Sequence, residues 1–196
     1  MGSQTIYWHC RKFEENKLST LKELTAEIHA EAESQPFIKS IFAGNVDKEK
    51  YRDYVFQLIH LYGVLEALGD AHNIFEGMEE LRRAPSAELD FVELLEDEEL
   101  NHRLNKPTFE YIQYLNRKEV LTNPKRILAH IYVRHMGDLF GGQQLAKLTP
   151  GTGQMYKFDD IPKLIKAVRS KIDPSLADEA IIAFKHNIEM IKVYND

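Results

Sequence analysis

The sequence predicts an all-α fold, a bundle of long helices joined by short loops. Apolar residues recur three and four positions apart over most of the chain, which is typical of amphipathic helices. No segment shows the apolar–polar alternation between hairpin turns that predicts a strand, and no internal repeat is apparent. We therefore expect one helical domain over residues 18–196, preceded by a mostly polar N-terminal arm at residues 1–17.

The composition limits the classes of function. A net charge of −6, from 25 basic and 31 acidic residues, argues against general nucleic-acid binding. No apolar run approaches the roughly 18–20 residues of a membrane span, and no signal peptide is visible. The single cysteine, Cys10, excludes an internal disulfide. We expect a soluble, cytoplasmic protein without a membrane anchor.

The first helix is predicted to begin near Ser19 or Thr20, since Thr20-x-x-Glu23 has the spacing of a capping box. Its apolar stripe is formed by Leu21, Leu24, Ile28 and Ala32. His29 lies at the edge of this stripe, where it could face a cleft between helices. A histidine at such an edge is more often a hydrogen-bonded, partly buried residue than a ligand.

The next two helices are marked by their boundaries. Pro36 and Gly44-Asn45 enclose a short helix at about residues 37–42. Asp47 is predicted to cap a long helix that runs to about Gly69. The apolar face of the long helix carries Tyr51, Tyr54, Val55, Leu58, Tyr62 and Leu65. Tyrosines at such positions are usually core residues whose hydroxyl reaches a neighbour.

Residues 70–106 are predicted to be helical but interrupted, with a helix starting at Pro85-Ser86. Its expected apolar line is Leu89, Val92 or Leu95, and Leu100. Glu99-x-x-His102 matches one half of a carboxylate-bridged di-iron motif. Because only one copy occurs, beside the break before Pro107, the sequence does not favour a di-iron site.

The second half of the chain predicts three further helical segments, at about residues 107–118, 124–147 and 175–194. Residues 149–153 form a loop, and a locally basic segment at residues 163–171 precedes the last helix. The residues expected to point inward from the last helix are Ile181, Phe184, Ile188 and Ile191.

The stretch 130–143 contains three glycines at positions where a helix is expected. Each costs roughly 1 kcal/mol relative to alanine in a helix interior. Gly137 and Gly141 share one face, where a flat ligand could approach the backbone beside Asp138. The same spacing also marks close helix packing or a helix break, and Asp138 could simply pair with Arg134. The pattern alone leaves these alternatives open.

Residues 130–143 resemble the heme oxygenase signature, which runs His-x-Tyr-x-Arg-x-x-Gly-Asp-x-x-Gly-Gly-Gln. Residues 21–33 are similar to the proximal helix of that family, and residues 61–66 and 183–187 also fit at plausible separations. These four matches stand in the right order and cover the chain from about residue 18 to residue 194. Together they are far more specific than the glycine pattern.

The resemblance implies a heme oxygenase-type bundle, with heme b between a proximal helix and a kinked, glycine-rich distal helix. His29 would be the proximal iron ligand. Gly137, Gly141 and Gly142 would let the distal backbone crowd the reacting side of the heme, which is both cofactor and substrate. Asp138 would hold an ordered water, and Tyr62 and Arg134 would complete the polar network.

Other residues are implied to hold the porphyrin. Lys22, Tyr132 and Arg169 resemble the residues that bind the propionates, with Lys166 as a further candidate. Their contacts would fix the rotation of the ring and so the meso carbon that is attacked. Phe184 and Asn187 would line the pocket from the last helix.

The implied reaction converts heme, dioxygen and electrons to biliverdin, carbon monoxide and ferrous iron. The propionate-binding set favours the IXα isomer. The chain shows neither the C-terminal anchor of animal members nor a transit peptide, and so resembles bacterial or cyanobacterial enzymes that use ferredoxin. A basic rim of Lys22, Lys163, Lys166, Arg169 and Lys171 could dock the ferredoxin, or could be ordinary solubilising charge. A bilin reductase could consume the product.

Two departures from the family pattern concern the distal side. Phe140 stands where many members carry a small serine, and it could narrow the pocket or point into the core. His135-Met136 replaces a more usual Tyr-Leu pair, and we expect His135 to face away from the ligand. Two alternatives remain: a heme- or bilin-binding protein without turnover, and a structural bundle without a ligand. The presence of Asp138 argues against simple storage.

Overall fold

The computed structural model describes residues 20–95 and 102–196. The expected arm at residues 1–17, the single cysteine Cys10, and the predicted Ser19, Glu99 and Leu100 lie outside the described residues. Within the described residues every regular element is helical and no strand is present. The all-α fold class expected from the sequence is therefore confirmed.

The first described residues, 20–24, are helical and lead through a turn at Thr25 into α1. In chain order the helices are α1 (Ala26–Glu33), α2 (Pro36–Phe42), α3 (Lys48–Ala71), α4 (Ala84–Leu95), α5 (Lys106–Leu115), α6 (Lys118–Leu121), α7 (Pro124–Leu145), α8 (Ile161–Lys171) and α9 (Ala177–Lys192). Short 3-10 turns at Glu79–Leu81, Gln154–Tyr156 and Pro174–Leu176 precede α4, α8 and α9.

Several helices begin at a side-chain cap that satisfies their free backbone N–H groups. Asp47 accepts a hydrogen bond from the backbone of Lys50 at 2.9 Å, which confirms the predicted start of α3. Asn105 caps α5 in the same way, and Asn123 caps α7. Proline occupies the first turn of α2, α5, α7 and α8, where its missing N–H costs nothing.

Helix α3 runs through the centre of the molecule and packs on α4, α5 and α7. Its predicted apolar face, from Tyr51 to Leu65, is buried as expected. Two clusters of buried side chains form the hydrophobic core. One is built mainly on α7, α8 and α9, and the other on α2, α3, α4 and α5. Helix α9 packs on α7 and reaches back to α1, so the chain's last helix covers its first.

The predicted register was wrong in two helices. Leu24 is exposed, and Thr25 takes the buried position with its hydroxyl donating to the carbonyl of Leu21 at 2.9 Å. In α4, Leu89 and Val92 are exposed; the buried residues are Ala87, Asp90, Phe91, Leu94 and Leu95. Helix α4 carries two apolar stripes, and the one with Phe91 packs on α3. Ile181 of α9 is only partly buried.

Helix α7 continues through all three of its glycines as an unbroken helix. At Gly142 a Cβ atom would stand 2.8 Å from Cδ1 of Tyr156, so the missing side chain lets the Gln154–Tyr156 turn pack directly on the helix. That turn follows Gly153, whose positive φ of 60° favours glycine. Gly142 thus serves close packing, which the sequence had left open beside ligand approach and a helix break.

Candidate functional site

A cavity of about 790 Å³ lies between α1, α2, α3, α7 and α9. Ligand pockets in proteins commonly measure about 300–1,000 Å³ and are mostly apolar with a few polar groups. The apolar side chains that line the cavity include Ile38, Ile41, Leu58, Met136, Phe184 and Ile191. The size and the lining therefore suit a large, flat, apolar ligand.

His29 lines the cavity from α1. The ring of Phe184 on α9 meets it edge to face, with 5.5 Å between the ring centroids. Its Nδ1 lies 3.7 Å from Oε1 of Glu33, one turn further along α1, and Glu33 lines the cavity as well. An imidazole flanked on one nitrogen by a carboxylate is a common arrangement for a metal-binding histidine, because the carboxylate orients the ring.

Helix α7 presents bare backbone to the same cavity. A Cβ added at Gly137 would meet no atom within 4 Å, and one at Gly141 would meet only the Leu145 side chain at 4.0 Å. Both glycines line the cavity, whereas Gly142 faces Tyr156 and does not. The two glycines therefore leave a low strip of helix surface that a flat ligand can approach closely.

Beside this strip stands a buried polar group. The Tyr62 hydroxyl donates a short hydrogen bond to Oδ2 of Asp138. Nη2 of Arg134 donates to the Tyr62 hydroxyl at 3.0 Å. Asp138 and Arg134 line the cavity, while Tyr62 is fully buried behind them and is not on its wall. Tyr62 thus joins the acid to the cation from behind the site.

Burial raises the pKa of Asp138 above its usual value, and the charge of Arg134 and the hydrogen bond from Tyr62 work in the opposite direction. Burial also raises the pKa of the Tyr62 hydroxyl well above its usual value. Tyr62 therefore stays protonated and remains a donor at neutral pH. The group combines a carboxyl of raised pKa, a phenol and a cation in a largely buried corner of the cavity.

His135 is buried behind the same corner and does not line the cavity. Its Nδ1 donates to the carbonyl of Ile131 at 3.3 Å, and its Nε2 lies 3.2 Å from Oε1 of Glu66. Glu66 in turn accepts backbone hydrogen bonds from Arg83 and Ala84. These contacts tie α3 and α7 to the start of α4, and they keep His135 on the side away from the ligand.

Most of the residues expected to bind the porphyrin share the cavity wall. They are Lys22, His29, Tyr132, Gly137, Gly141, Arg169, Phe184 and Asn187. Lys166 is exposed and does not line the cavity. It lies three residues before Arg169, about one turn earlier on α8.

Three buried polar atoms on the wall have no hydrogen-bond partner within the described ranges. They are Nε of Arg134, Nε of Arg169 and Oδ1 of Asn187. Buried polar atoms are normally paired, so such a group of unpaired atoms calls for a polar ligand. Heme meets these requirements with an iron for His29, a flat ring for the glycine strip and carboxylates for Lys22 and Arg169.

Sequence reasoning missed part of the wall. Phe42 on α2, Tyr54 on α3, and Tyr156 line the cavity, although nothing separates them from ordinary core residues in the sequence. Glu33 was visible only as the end of the first matched segment. Phe140 lines the cavity and is exposed, so it does not point into the core.

Two other kinds of site find no support among residues 20–95 and 102–196. No group of three or more His, Cys, Asp or Glu side chains there could hold a metal ion by itself. No helix in those ranges is long and apolar enough to cross a membrane.

The family model for heme oxygenase matches residues 15–193. A heme oxygenase from Porphyra purpurea is 31% identical, over 89% of this chain and 85% of its own length. The structure of heme oxygenase from Leptospira interrogans superposes with a TM-score of 0.79 at 27% identity, covering 89% of this chain and 98% of that chain. The heme complex of heme oxygenase-1 from the cyanobacterium Synechocystis gives 0.78 at 27% identity, covering 89% and 90%.

Proposed function

The chain belongs to the heme oxygenase family, and we propose that it opens heme at one meso carbon to give biliverdin, carbon monoxide and ferrous iron. One observation carries the proposal: His29, the bare strip at Gly137 and Gly141, and the buried Asp138 all line one cavity. When bound, heme supplies both the iron that activates dioxygen and the ring carbon that is oxidised. The protein supplies binding, orientation and protons.

Binding would use both ends of the cavity. With Glu33 on the Nδ1 side of His29, Nε2 is the nitrogen left to bind the iron. Lys22, Tyr132 and Arg169 would hold the propionates by charge-assisted hydrogen bonds, and Lys166 could reach the same edge with its long side chain. Those contacts would fix the ring's rotation, which supports the IXα isomer as the product.

The buried polar group would handle protons. The Tyr62 hydroxyl occupies Oδ2 of Asp138, which leaves Oδ1 to hold a water at the cavity. A proton could then pass through that water, so that no acidic side chain needs to touch the reacting atoms. Arg134, through Tyr62, keeps this arrangement in one orientation. Asp138, Arg134 and Tyr62 are the groups we assign to catalysis.

The glycine strip would act by shape. With no side chains at Gly137 and Gly141, the helix backbone could approach the face of the porphyrin and restrict the space there. This restriction would direct ring opening to a single meso carbon. Gly142 would contribute indirectly, because it lets the turn at Tyr156 brace the helix from the other side.

We further propose a ferredoxin-type electron donor. Lys22, Lys163 and Lys166 are exposed, and Arg169 and Lys171 are half-buried, which leaves a basic rim on a chain of net charge −6. A small acidic donor would be steered toward such a rim, with rates that fall as salt rises. The product would suit a bilin reductase downstream, and a cytoplasmic location would suit such partners.

The test is a single turnover. Hemin-loaded protein is given reductant and air with catalase present, so that free peroxide cannot react, and absorption is followed in time. We expect the Soret band to fall while the broad red absorption of biliverdin grows, and the isomer is then identified by chromatography. A stable complex, or return to ferric heme with the ring intact, would instead identify a heme-binding protein without turnover.

A further inference from the structure

Two large aromatic side chains on the cavity wall are exposed. Phe140 on α7 is 52% exposed and Phe42 at the end of α2 is 41% exposed, yet both line the cavity. Met136, Ile41 and Phe184 on the same wall are buried, and Ile38 and Leu145 are partly buried. The remaining exposed apolar side chains within the described ranges lie off this wall, among them Phe109 on α5.

Helical spacing confirms the direction of Phe140. Met136, Gly137, Phe140, Gly141 and Gln144 all line the cavity, and their separations of three and four residues are those of one helix face. Phe140 is therefore a tall ring directly beside the bare strip of Gly137 and Gly141. A planar ligand lying on the strip would meet this ring at its side.

Phe42 reaches the cavity from a neighbouring element. Helix α2 packs against α7, and a Cβ added at Gly44, two residues after Phe42, would lie 3.5 Å from the Leu148 side chain beyond the end of α7. Phe42 and Phe140 thus stand on two helices that pack together, and both line the same cavity. We call these two side chains the aromatic rim.

When a ligand covers exposed aromatic rings at the border of a cavity, the free energy of binding becomes more favourable, because apolar area is removed from water. Porphyrin offers a flat apolar surface for such contact, and aromatic rings add favourable edge and stacking interactions.

Given that the chain binds heme as proposed above, we propose that the aromatic rim packs on the edge of bound heme and slows its release. The rim would retain the ligand, and it is separate from His29 and from the buried group of Asp138, Tyr62 and Arg134. Each ring would cover part of the porphyrin edge, and the two would act together because they line the same cavity from two helices that pack together. Removing either ring should leave iron binding by His29 in place but shorten the lifetime of the complex.

The experiment measures the rate at which hemin leaves the loaded protein, using excess apomyoglobin as the acceptor. We expect roughly tenfold faster loss for Phe140→Ser and for Phe42→Ser, since each removes a ring's buried apolar area. The double variant should lose hemin faster than either single one, by less than the product of their effects. Phe109→Ser, which removes a ring 49% exposed elsewhere, is the matched control and should leave the rate unchanged.

Melting of the heme-free proteins checks that the variants fold. Because both rings are exposed without ligand, their replacement should leave the melting temperature within a degree or two of the parent. Phe140→Leu and Phe42→Leu serve as milder variants and should show a smaller acceleration. Release at the parent rate from folded variants would overturn the proposal.

The outcome also separates this inference from the proposed function. If the parent protein binds hemin stoichiometrically and yields biliverdin, but the rim variants release hemin at the parent rate, only the rim proposal fails. If the parent protein takes up no hemin, both fail.

Discussion

Asp138 is the residue on which the proposed proton delivery depends most. It is buried beside open ligand space, with one carboxylate oxygen held by Tyr62 and a cation one step further away. A buried carboxyl of raised pKa that lines a ligand-sized cavity is typical of a functional site. Its chemistry depends on the phenol that stands between it and Arg134.

Tyr62→Phe tests that dependence. The change keeps the buried ring but removes the hydroxyl that donates to Asp138 and accepts from Arg134. We expect hemin affinity to stay within about twofold, ring opening to slow at least tenfold, and the free energy of unfolding to fall by about 1–3 kcal/mol. Hemin titration, single-turnover rates and urea unfolding measure the three quantities. Unchanged ring opening would show that the hydroxyl plays no part in proton delivery.

The residue roles illustrate how far sequence can go. The resemblance of residues 130–143 to the family signature selected Asp138, Arg134 and Gly137, and all three line the cavity from one helix. The positions of Phe42 and Tyr156 could not be predicted in this way, since their place on the cavity wall arises from how α2 and the Gln154–Tyr156 turn pack. Lys166 was expected to bind the porphyrin, but its side chain is exposed and does not line the cavity. The sequence could not settle this, because it does not show how α8 packs.

At the scale of the helices, two glycines of α7 have different surroundings, one facing the cavity and one facing a packed turn. Gly137 opens on the cavity, and Gly142 admits Tyr156 from the other side. The two glycines share one helix and one residue type, but the structure places their missing side chains in opposite surroundings. This contrast allows packing and ligand approach to be tested separately.

Gly142→Ala and Gly137→Ala form a matched pair. At residue 142 a methyl group would stand 2.8 Å from Cδ1 and 3.0 Å from Cβ of Tyr156, so we expect the heme-free protein to lose about 1–3 kcal/mol of stability. At residue 137 the methyl enters open space, and the better helix propensity of alanine should add up to about 1 kcal/mol. Thermal and urea unfolding of the heme-free variants provide the comparison.

In hemin binding, Gly137→Ala rather than Gly142→Ala should show the larger loss. Gly137→Ala should weaken hemin binding or change the biliverdin isomer, because its methyl stands where the porphyrin must approach. If Gly137→Ala lowered the stability of the heme-free protein as much as Gly142→Ala did, the assignment of the two glycines to different tasks would be wrong.

Helix boundaries were more predictable than helix faces. The start of α3 at Asp47 and the short α2 followed from capping and proline signals that act within a few residues. The face of α4 did not follow, because its sequence offers two apolar stripes and only packing on α3 selects between them. The predicted apolar line contained Leu89 and either Val92 or Leu95; of these three residues only Leu95 is buried.

At the scale of the whole molecule, a buried polar cluster joins α5, α7 and α9 away from the cavity. His130 contacts the Tyr111 hydroxyl through Nδ1 at 2.7 Å and Glu179 through Nε2 at 3.0 Å. Tyr114 donates to the same carboxylate at 2.8 Å, and His186 stacks on Tyr111 with ring centroids 4.6 Å apart. These contacts hold together the helices that carry the distal wall and Asn187.

This cluster predicts a loss of stability in mild acid. Burial, and then the neighbouring His130, lowers the pKa of His186 to about 4 from an ordinary value of 6.5. The unfolded chain therefore binds a proton that the folded chain refuses, so stability should fall as pH drops from about 6.5 toward 4. Burial lowers the pKa of His130 as well and adds to the same trend.

His186→Phe keeps a ring against Tyr111 and removes the titration. Because His186 is partly exposed, we expect its share of the acid loss to be of order 1 kcal/mol. Urea unfolding at pH 7 and pH 5 should show a smaller decrease for His186→Phe than for the parent protein. An equal decrease in both proteins would assign the acid sensitivity to other groups.

The most direct test of the central claim is single-turnover ring opening by Asp138→Ala beside the parent protein. The claim is that the cavity is an oxygenase site, in which a buried carboxyl beside bare helix surface supplies protons and His29 holds the iron. We expect Asp138→Ala to bind hemin stoichiometrically with a sharp Soret band, yet to form biliverdin at least a hundredfold more slowly than the parent. Equal rates of biliverdin formation in the two proteins would contradict the claim.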